Sequence, residues 1–406
     1  MWSHGGGAGS SRVGQVIRWR EGVVVGERAR WGDAVEVEVR LHAPERAAST
    51  AAGAASTAAG ASPDRVVRAV AYVSVTGDPL VGDRVLLNTN ALDNDLGTGG
   101  VAMVVALPDR LPPDTRDAAD PDGAGHLVKA RYTPLQTMVF GADEQDSPHH
   151  AALAEADDLG GMPVVAADLH SSLPAVLAGL RAEAPDARVA YLMTDGGALP
   201  AAFSRTSTTL RDAGWLAAVI SCGQAYGGDL EAVNTFSGLL AARHVVEADV
   251  VILSQGPGNL GTGTRWGFSG VSAGEALNAA AVLGGRGVAA LRVSGADPRP
   301  RHRGISHHSR TAYGQVLNRP ADVPVPALRD HPGIPAELAD LVARQADDLL
   351  TAPHLTRHDI DLTSLLDALE ASPVRLSTMG RGLDADPAAF LAAAAAGRHA
   401  ATLVVR

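Results

Sequence analysis

The run RPRHRGISHHSRTAYGQVLN, residues 299–318, sets Arg299, Arg301, Arg303 and Arg310 among His302, His307 and His308, shortly after Asp297. Neutral imidazoles bind metals or carry protons, and clustered guanidiniums hold carboxylate or phosphate in a forked geometry. The run therefore offers His307 and His308 for proton transfer, Arg310 for anion binding and His302 as a metal ligand. A solvated basic loop with incidental histidines is the plain alternative.

A second concentration lies upstream, in ADVVILSQGPGNLGTGTRWGFSGVSAGEALNAAAVL, residues 248–283. An apolar run (Val250, Val251, Ile252, Leu253) leads into Gly256, Gly258, Gly261 and Gly263, interleaved with Thr262 and Thr264. It reads as a buried strand, a glycine loop and a helix with Ser272 as N-cap, Glu275 completing a capping box and Gly284 just past the end. Glycines at the carboxyl end of a strand let backbone N–H groups approach an anion, so the loop is a candidate anion site. GPGNLG also matches the dinucleotide fingerprint G-x-G-x-x-G literally. Against that, the helix starts well downstream, the unit comes late among the strands, and the next strand-end acid, Asp297, is farther than the usual ~20 residues. An NAD(P) oxidoreductase is therefore only a minor alternative, and the absence of a Gly-Lys-Ser/Thr loop argues against a P-loop NTPase.

Other strand ends carry polar residues as well. MPVVAADLHSS ends in Asp168 and His170, ARVAYLMTDGG in Thr194 and Asp195, and WLAAVISCGQ in Ser221 and Cys222. Ligands bind outside the carboxyl ends of strands in open parallel sheets, so these ends point toward one pocket. His170 and Asp195 join the catalytic candidates. Asp168 is a candidate metal ligand with His302 or His307. Cys222 reads as a small buried hydrophobe.

The elements that must position these residues follow from the periodicity. Residues 1–12 are expected to be disordered. From residue 13 to about 135, short alternating runs such as DAVEVEVRL, with glycine turns, predict a small β-barrel-like domain of the SH3 or OB kind, interrupted by a low-complexity loop at 43–62. Its plain role is scaffolding or oligomerisation. Strands alternating with helices over 150–320 predict a doubly wound, Rossmann-like parallel sheet with five strands. A helix from near Asp229 to Glu247 is part of this pattern. PADVPVPALRDHPGIP reads as a proline-rich connection, and residues 321–406 as a helical C-terminal tail.

Composition bounds the function. The 406 residues are 46% hydrophobic and 19% charged, as in soluble globular proteins. A net charge of −11 argues against sequence-independent nucleic-acid binding. One cysteine excludes an internal disulfide, and neither a signal peptide nor a membrane span is visible, which implies a cytoplasmic protein.

GDRVLLNTNALDNDLGTGG, GHLVKARYTPLQ, the SPHH turn, SQGPGNLGTGTRWGFSG and RHRGISHHSRTAYGQVLNR together resemble a bacterial family described only as domain of unknown function 3866, common in Gram-positive organisms. The resemblance runs from about Val13 to Asn318. It implies a shared fold and brings no activity, cofactor or catalytic residue with it. It does single out Lys129, the sole lysine of the chain. A desolvated amine there could bind an anion or act as a base.

The reading is a cytoplasmic enzyme, hydrolase or transferase, acting on a phosphorylated or carboxylated small molecule, with no cofactor specified and self-association allowed. The alternative is a non-catalytic metabolite-binding or regulatory module.

Overall fold

The computed structural model describes residues 17–42, 65–94, 99–113 and 125–404; the N-terminal segment 1–12 and the insert 43–62 lie outside them. The chain divides into two compact units, Met1–Asp114 and Thr115–Arg406, each with its own apolar core.

In the first unit β1 (Trp19–Trp31), β2 (Ala34–Leu41), β3 (Val66–Tyr72), β4 (Arg84–Asn88) and β5 (Ala102–Ala106) close into a barrel in the order β1-β2-β3-β5-β4. The alternation in β2 sets the faces: Val35, Val37 and Val39 are wholly buried inside. Glu36 points the other way, where the Arg68 guanidinium donates to it at 2.6 Å.

The second unit begins with a hairpin, β6 (Leu127–Lys129) and β7 (Thr137–Val139). Its sheet comprises β8 (Pro163–Ala166), β9 (Val189–Thr194), β10 (Ala218–Cys222), β11 (Leu230–Ala232), β12 (Val250–Gln255) and β13 (Arg286–Ala289). After the short antiparallel pair β14 (Val293–Ser294) and β15 (Gly304–Ile305), it is completed by β16 (Ala321–Pro326) and β17 (Leu355–Ile360). The order is β11-β10-β9-β12-β8-β13-β16-β17, parallel throughout. Every residue of β9 and β12 is buried, as a sheet covered on both faces requires.

From β8 the chain winds outward through β9, β10 and β11, then returns to place β12 between β9 and β8. It next passes over β8 to β13. Right-handed crossovers in opposite directions put their helices on opposite faces. Accordingly α1 (Leu173–Glu183) packs with the last helix, α8 (Pro387–Thr402), while α3 (Thr235–His244) packs with α4 (Ser272–Val282). The other α-helices of five or more residues among the described residues are α2 (Arg205–Asp212), α5 (His307–Thr311), α6 (Ala336–Leu349) and α7 (Leu365–Glu370).

Three local readings change. The segment expected to be one helix from Asp229 is an edge strand, β11, followed by α3, because Asn234 caps the helix start with a complete capping box. Ser272 is the first residue of α4 rather than its cap, since a 3₁₀ turn over Ser269–Val271 precedes it. The first part of the proline-rich connection, Ala321–Pro326, is strand β16. The Ala321 and Ala327 N–H groups donate toward β17, so the alternate positions of Pro324 and Pro326 face β13, which has already ended there. The missing N–H groups thus cost no ladder bonds. No helix among the described residues is long and apolar enough to cross a membrane.

Candidate functional site

The reversal of winding brings the ends of β8, β12 and β13 side by side, and the polar residues after them meet there. Asp168 follows β8, Arg292 follows β13, and the β14–β15 pair turns the arginine-histidine run back so that α5 starts beside them. His308 Nδ1 lies 3.1 Å from Asp168 Oδ2, and Arg292 Nη1 donates to the same oxygen at 3.3 Å. Burial would raise the Asp168 carboxyl, yet Arg292 and His308 hold it below the usual carboxylate range. The Phe268 ring stacks on His308 at 3.8 Å between centroids and 5° between planes, which fixes the imidazole from its open side.

His302 and His307 complete a cluster. Ring centroids are 5.0 Å apart for His302 with either neighbour and 4.4 Å apart for His307 and His308. His302 Nδ1 meets the Ser306 hydroxyl at 2.8 Å, and the same oxygen accepts the His308 N–H at the start of α5. His307 Nε2 is buried without a hydrogen-bond partner. Burial, aided by the Arg292 charge, pushes His302 down to about 3, and burial with His308 alongside pushes His307 down to about 4. Both imidazoles are neutral near pH 7, the form that ligates a metal or accepts a proton. One nitrogen from each of the three rings falls within 4.8 Å of the others, a spacing that one divalent ion can span.

His307 also lines a cleft of about 640 Å³ together with Gly263, Arg265, Arg301, Arg310 and Asp348. Arg310 Nε is buried without a hydrogen-bond partner, and among the described residues no carboxylate is ion-paired with Arg265, Arg301 or Arg310. The glycine loop reaches this cleft by its distal half. Residues 261–268 fold as a hairpin, exposed over 261–266 and closed by a Gly261–Phe268 bridge, with the Thr262 and Thr264 hydroxyls 3.0 Å apart and both engaged with Gly267. Gly258 (φ +97°) and Gly263 (φ +80°) occupy the left-handed region that glycine alone adopts freely, and Gly263 faces the Arg301 guanidinium. Gly256 is different: it sits against Leu199 and Met193, where a Cβ would not fit. No tight turn from strand directly onto helix exists here, so the dinucleotide fingerprint lacks its structural context.

The remaining candidates lie elsewhere. His170 faces away from Asp168, its two nitrogens meeting the Tyr191 hydroxyl at 2.9 Å and the Ser204 hydroxyl at 2.7 Å. Asp195 accepts from the Gly197, Ala198 and Gln224 N–H groups, tying down its own loop. Lys129 is 1% exposed, its ammonium donating to the carbonyls of Gly223 and Ala225 and lying 3.3 Å from Glu231. Cys222 is buried, its thiol pushed up to about 11 by desolvation. Asp168 contacts His308 rather than His302 or His307, so it supports a ligand instead of being placed as one.

Sequence reading missed Arg292, Phe268 and Arg265. Arg292 carried a usable signal: it follows the apolar run GVAAL at a strand end, as Asp168 follows its own strand. Phe268 carried none, since ring stacking between segments forty residues apart leaves no local pattern.

A family model described as "Protein of unknown function (DUF3866)" matches residues 68–397. No curated protein and no solved structure matches the chain.

Proposed function

Because the chain belongs to the DUF3866 family, whose function is unknown, its activity must be read from the site, and we propose an enzyme that acts on a phosphorylated or carboxylated small molecule with a divalent metal held by His302, His307 and His308. The observation that carries this reading is the sharing of His307 between the imidazole cluster and an arginine-lined cleft. Arg265, Arg301 and Arg310 supply forked donors for the anion. A bound ion would act as a Lewis acid on the substrate oxygen beside it.

The protein's own residues prepare both tasks. Asp168 holds His308 through Nδ1, which lies 3.1 Å from Oδ2 and also 3.1 Å from Arg292 Nη1, a carboxylate–histidine pairing of the kind that supports many metal ligands. Ser306 does the same for His302. The Gly261–Phe268 hairpin forms one wall, with Gly263 at the cleft. A sensing module would need the arginines but would have no use for three converging imidazoles. That difference favours an enzyme over a binding module.

The test combines metal analysis with a thermal-shift panel of sugar phosphates, nucleotides and carboxylates, followed by turnover assays on the compounds that stabilise. The wild-type chain is expected to bind zinc-type ions, and anions are expected to stabilise it more strongly in their presence. His307→Ala with His308→Ala should remove that dependence, while Arg310→Ala should weaken anion stabilisation and leave metal binding in place. Stabilisation by anions that is indifferent to metal and to both histidines would sink the metal role, and stabilisation without turnover of any stabilising compound would favour the sensor.

A further inference from the structure

Away from this cleft, near the amino end of β16, a second group of ligating side chains converges. Asp322 is the second residue of β16, and His358 lies on β17 opposite Pro324. Paired residues of parallel strands point to one face, and so do positions two apart. Asp322 and His358 therefore leave the sheet on the same side. Helix α8 packs over these strands, and its His399 comes down onto the same carboxylate.

His399 Nε2 lies 2.9 Å from Asp322 Oδ2, and His358 Nε2 lies 3.1 Å from Oδ1. The two imidazole centroids are 4.2 Å apart. Arg286 Nε donates to Oδ2 at 3.1 Å. The three ligand atoms fall within 4.8 Å of one another. A tetrahedral ion with bonds near 2.1 Å separates its ligand atoms by roughly 3.4 Å, close to the spacings observed.

One detail separates an ion site from a hydrogen-bonded triad. His399 approaches Oδ2 as a hydrogen bond, whereas His358 Nε2, although only 3.1 Å from Oδ1, is a buried nitrogen that makes no hydrogen bond at all. A triad built for hydrogen bonding would aim both N–H groups at the carboxylate. A nitrogen set close beside the oxygen but not aimed at it has the pose of a ligand converging on a common point.

We propose that Asp322, His358 and His399 form a second divalent-metal site, a two-histidine, one-carboxylate set suited to zinc-type ions, which fastens α8 to β16 and β17. The side chain of His358 is 30% exposed, so the group lies near the surface of the unit. Its three ligands come from three elements, and this marks it as a clamp. It is independent of the ion assigned to the histidine cluster.

The test uses the full chain, stripped of metal by chelator. In the His307→Ala, His308→Ala background, which disables the other cluster, Co²⁺ is expected to bind at one equivalent with the visible absorption of a tetrahedral N/O site and to raise the melting temperature. His358→Gln and His399→Gln keep a donor facing Asp322, so a hydrogen-bonded triad would survive them, whereas a metal clamp would lose the ion. Absence of Co²⁺ binding in the background variant, or binding unchanged by both glutamines, overturns the proposal. Should the background variant fail to fold, zinc content decides. Wild type is expected to hold one equivalent more than His358→Gln, and equal contents overturn the site.

Discussion

Asp168 and His170 stand two positions apart after the same strand, yet they do opposite things. Asp168 turns toward His308 and Arg292. His170 turns to Tyr191 and Ser204, where complete burial pushes it down to about 4. Strand alternation would send positions two apart to one face, but β8 ends at Ala166 and the 3₁₀ turn over His170–Ser172 redirects the second, so neither the divergence nor the partners, which come from β9, β13 and α5, follow from the strand pattern. Each residue gives a prediction. Asp168→Asn removes the charge that orients His308 and should weaken metal binding by about 10–100-fold, measured by competition with a chromophoric chelator, while the circular dichroism spectrum is retained. If affinity is unchanged, Asp168 has no part in holding the ion. His170 is neutral in the folded state and ordinary when unfolded, so below the unfolded value near 6.5 the unfolded chain takes up a proton that the native one refuses. Stability should therefore fall as pH drops from about 6.5 to about 4, by on the order of 3 kcal/mol from this residue, and stay level above that window. His170→Gln can keep both hydrogen bonds and should flatten that part of the urea-denaturation profile. An unchanged slope would assign it to other groups.

Among elements, those marked by length and apolar continuity were legible: β8, β9, β10, β12 and β13 follow the expected strands, and α1 and α4 the expected helices. Those that depend on partners were not. β11 is three residues long and exists because β10 offers it an edge, and β16 tolerates two prolines because β13 stops short. The alanine-rich stretch of α8 gave its helix away but not its purpose. Gly179 on α1 and Gly397 on α8 lie against the facing backbone, at Ala394 and Val176, where a Cβ would have no space. The two helices thus cross with almost nothing between them, and the run of alanines keeps the rest of the contact equally close. Gly397→Ala improves helix propensity on paper but should destabilise the unit by about 1–3 kcal/mol through this collision, seen as a lowered urea midpoint. A neutral or stabilising result would mean that the helices can separate at little cost.

For the whole molecule, a barrel followed by a doubly wound sheet was visible from periodicity, because period 2 gives way to alternating strand and helix after Gly161. The sheet's true width was not visible. Its last two strands, β16 and β17, lie in the stretch that reads as connection and helix, and they carry Asp322 and His358. The candidate cleft likewise draws on residues between 263 and 352, collected by the reversal of winding, and no window of sequence contains them together. The pairing of α1 with α8 has a consequence in time. During biosynthesis α1 emerges roughly two hundred residues before its partner, an interval on the order of 10–40 seconds at ordinary translation rates. Throughout it, the face of α1 that meets α8 at Gly179 and Val176 lacks its partner. The contact between the two helices is therefore among the last of the fold that can form on a growing chain.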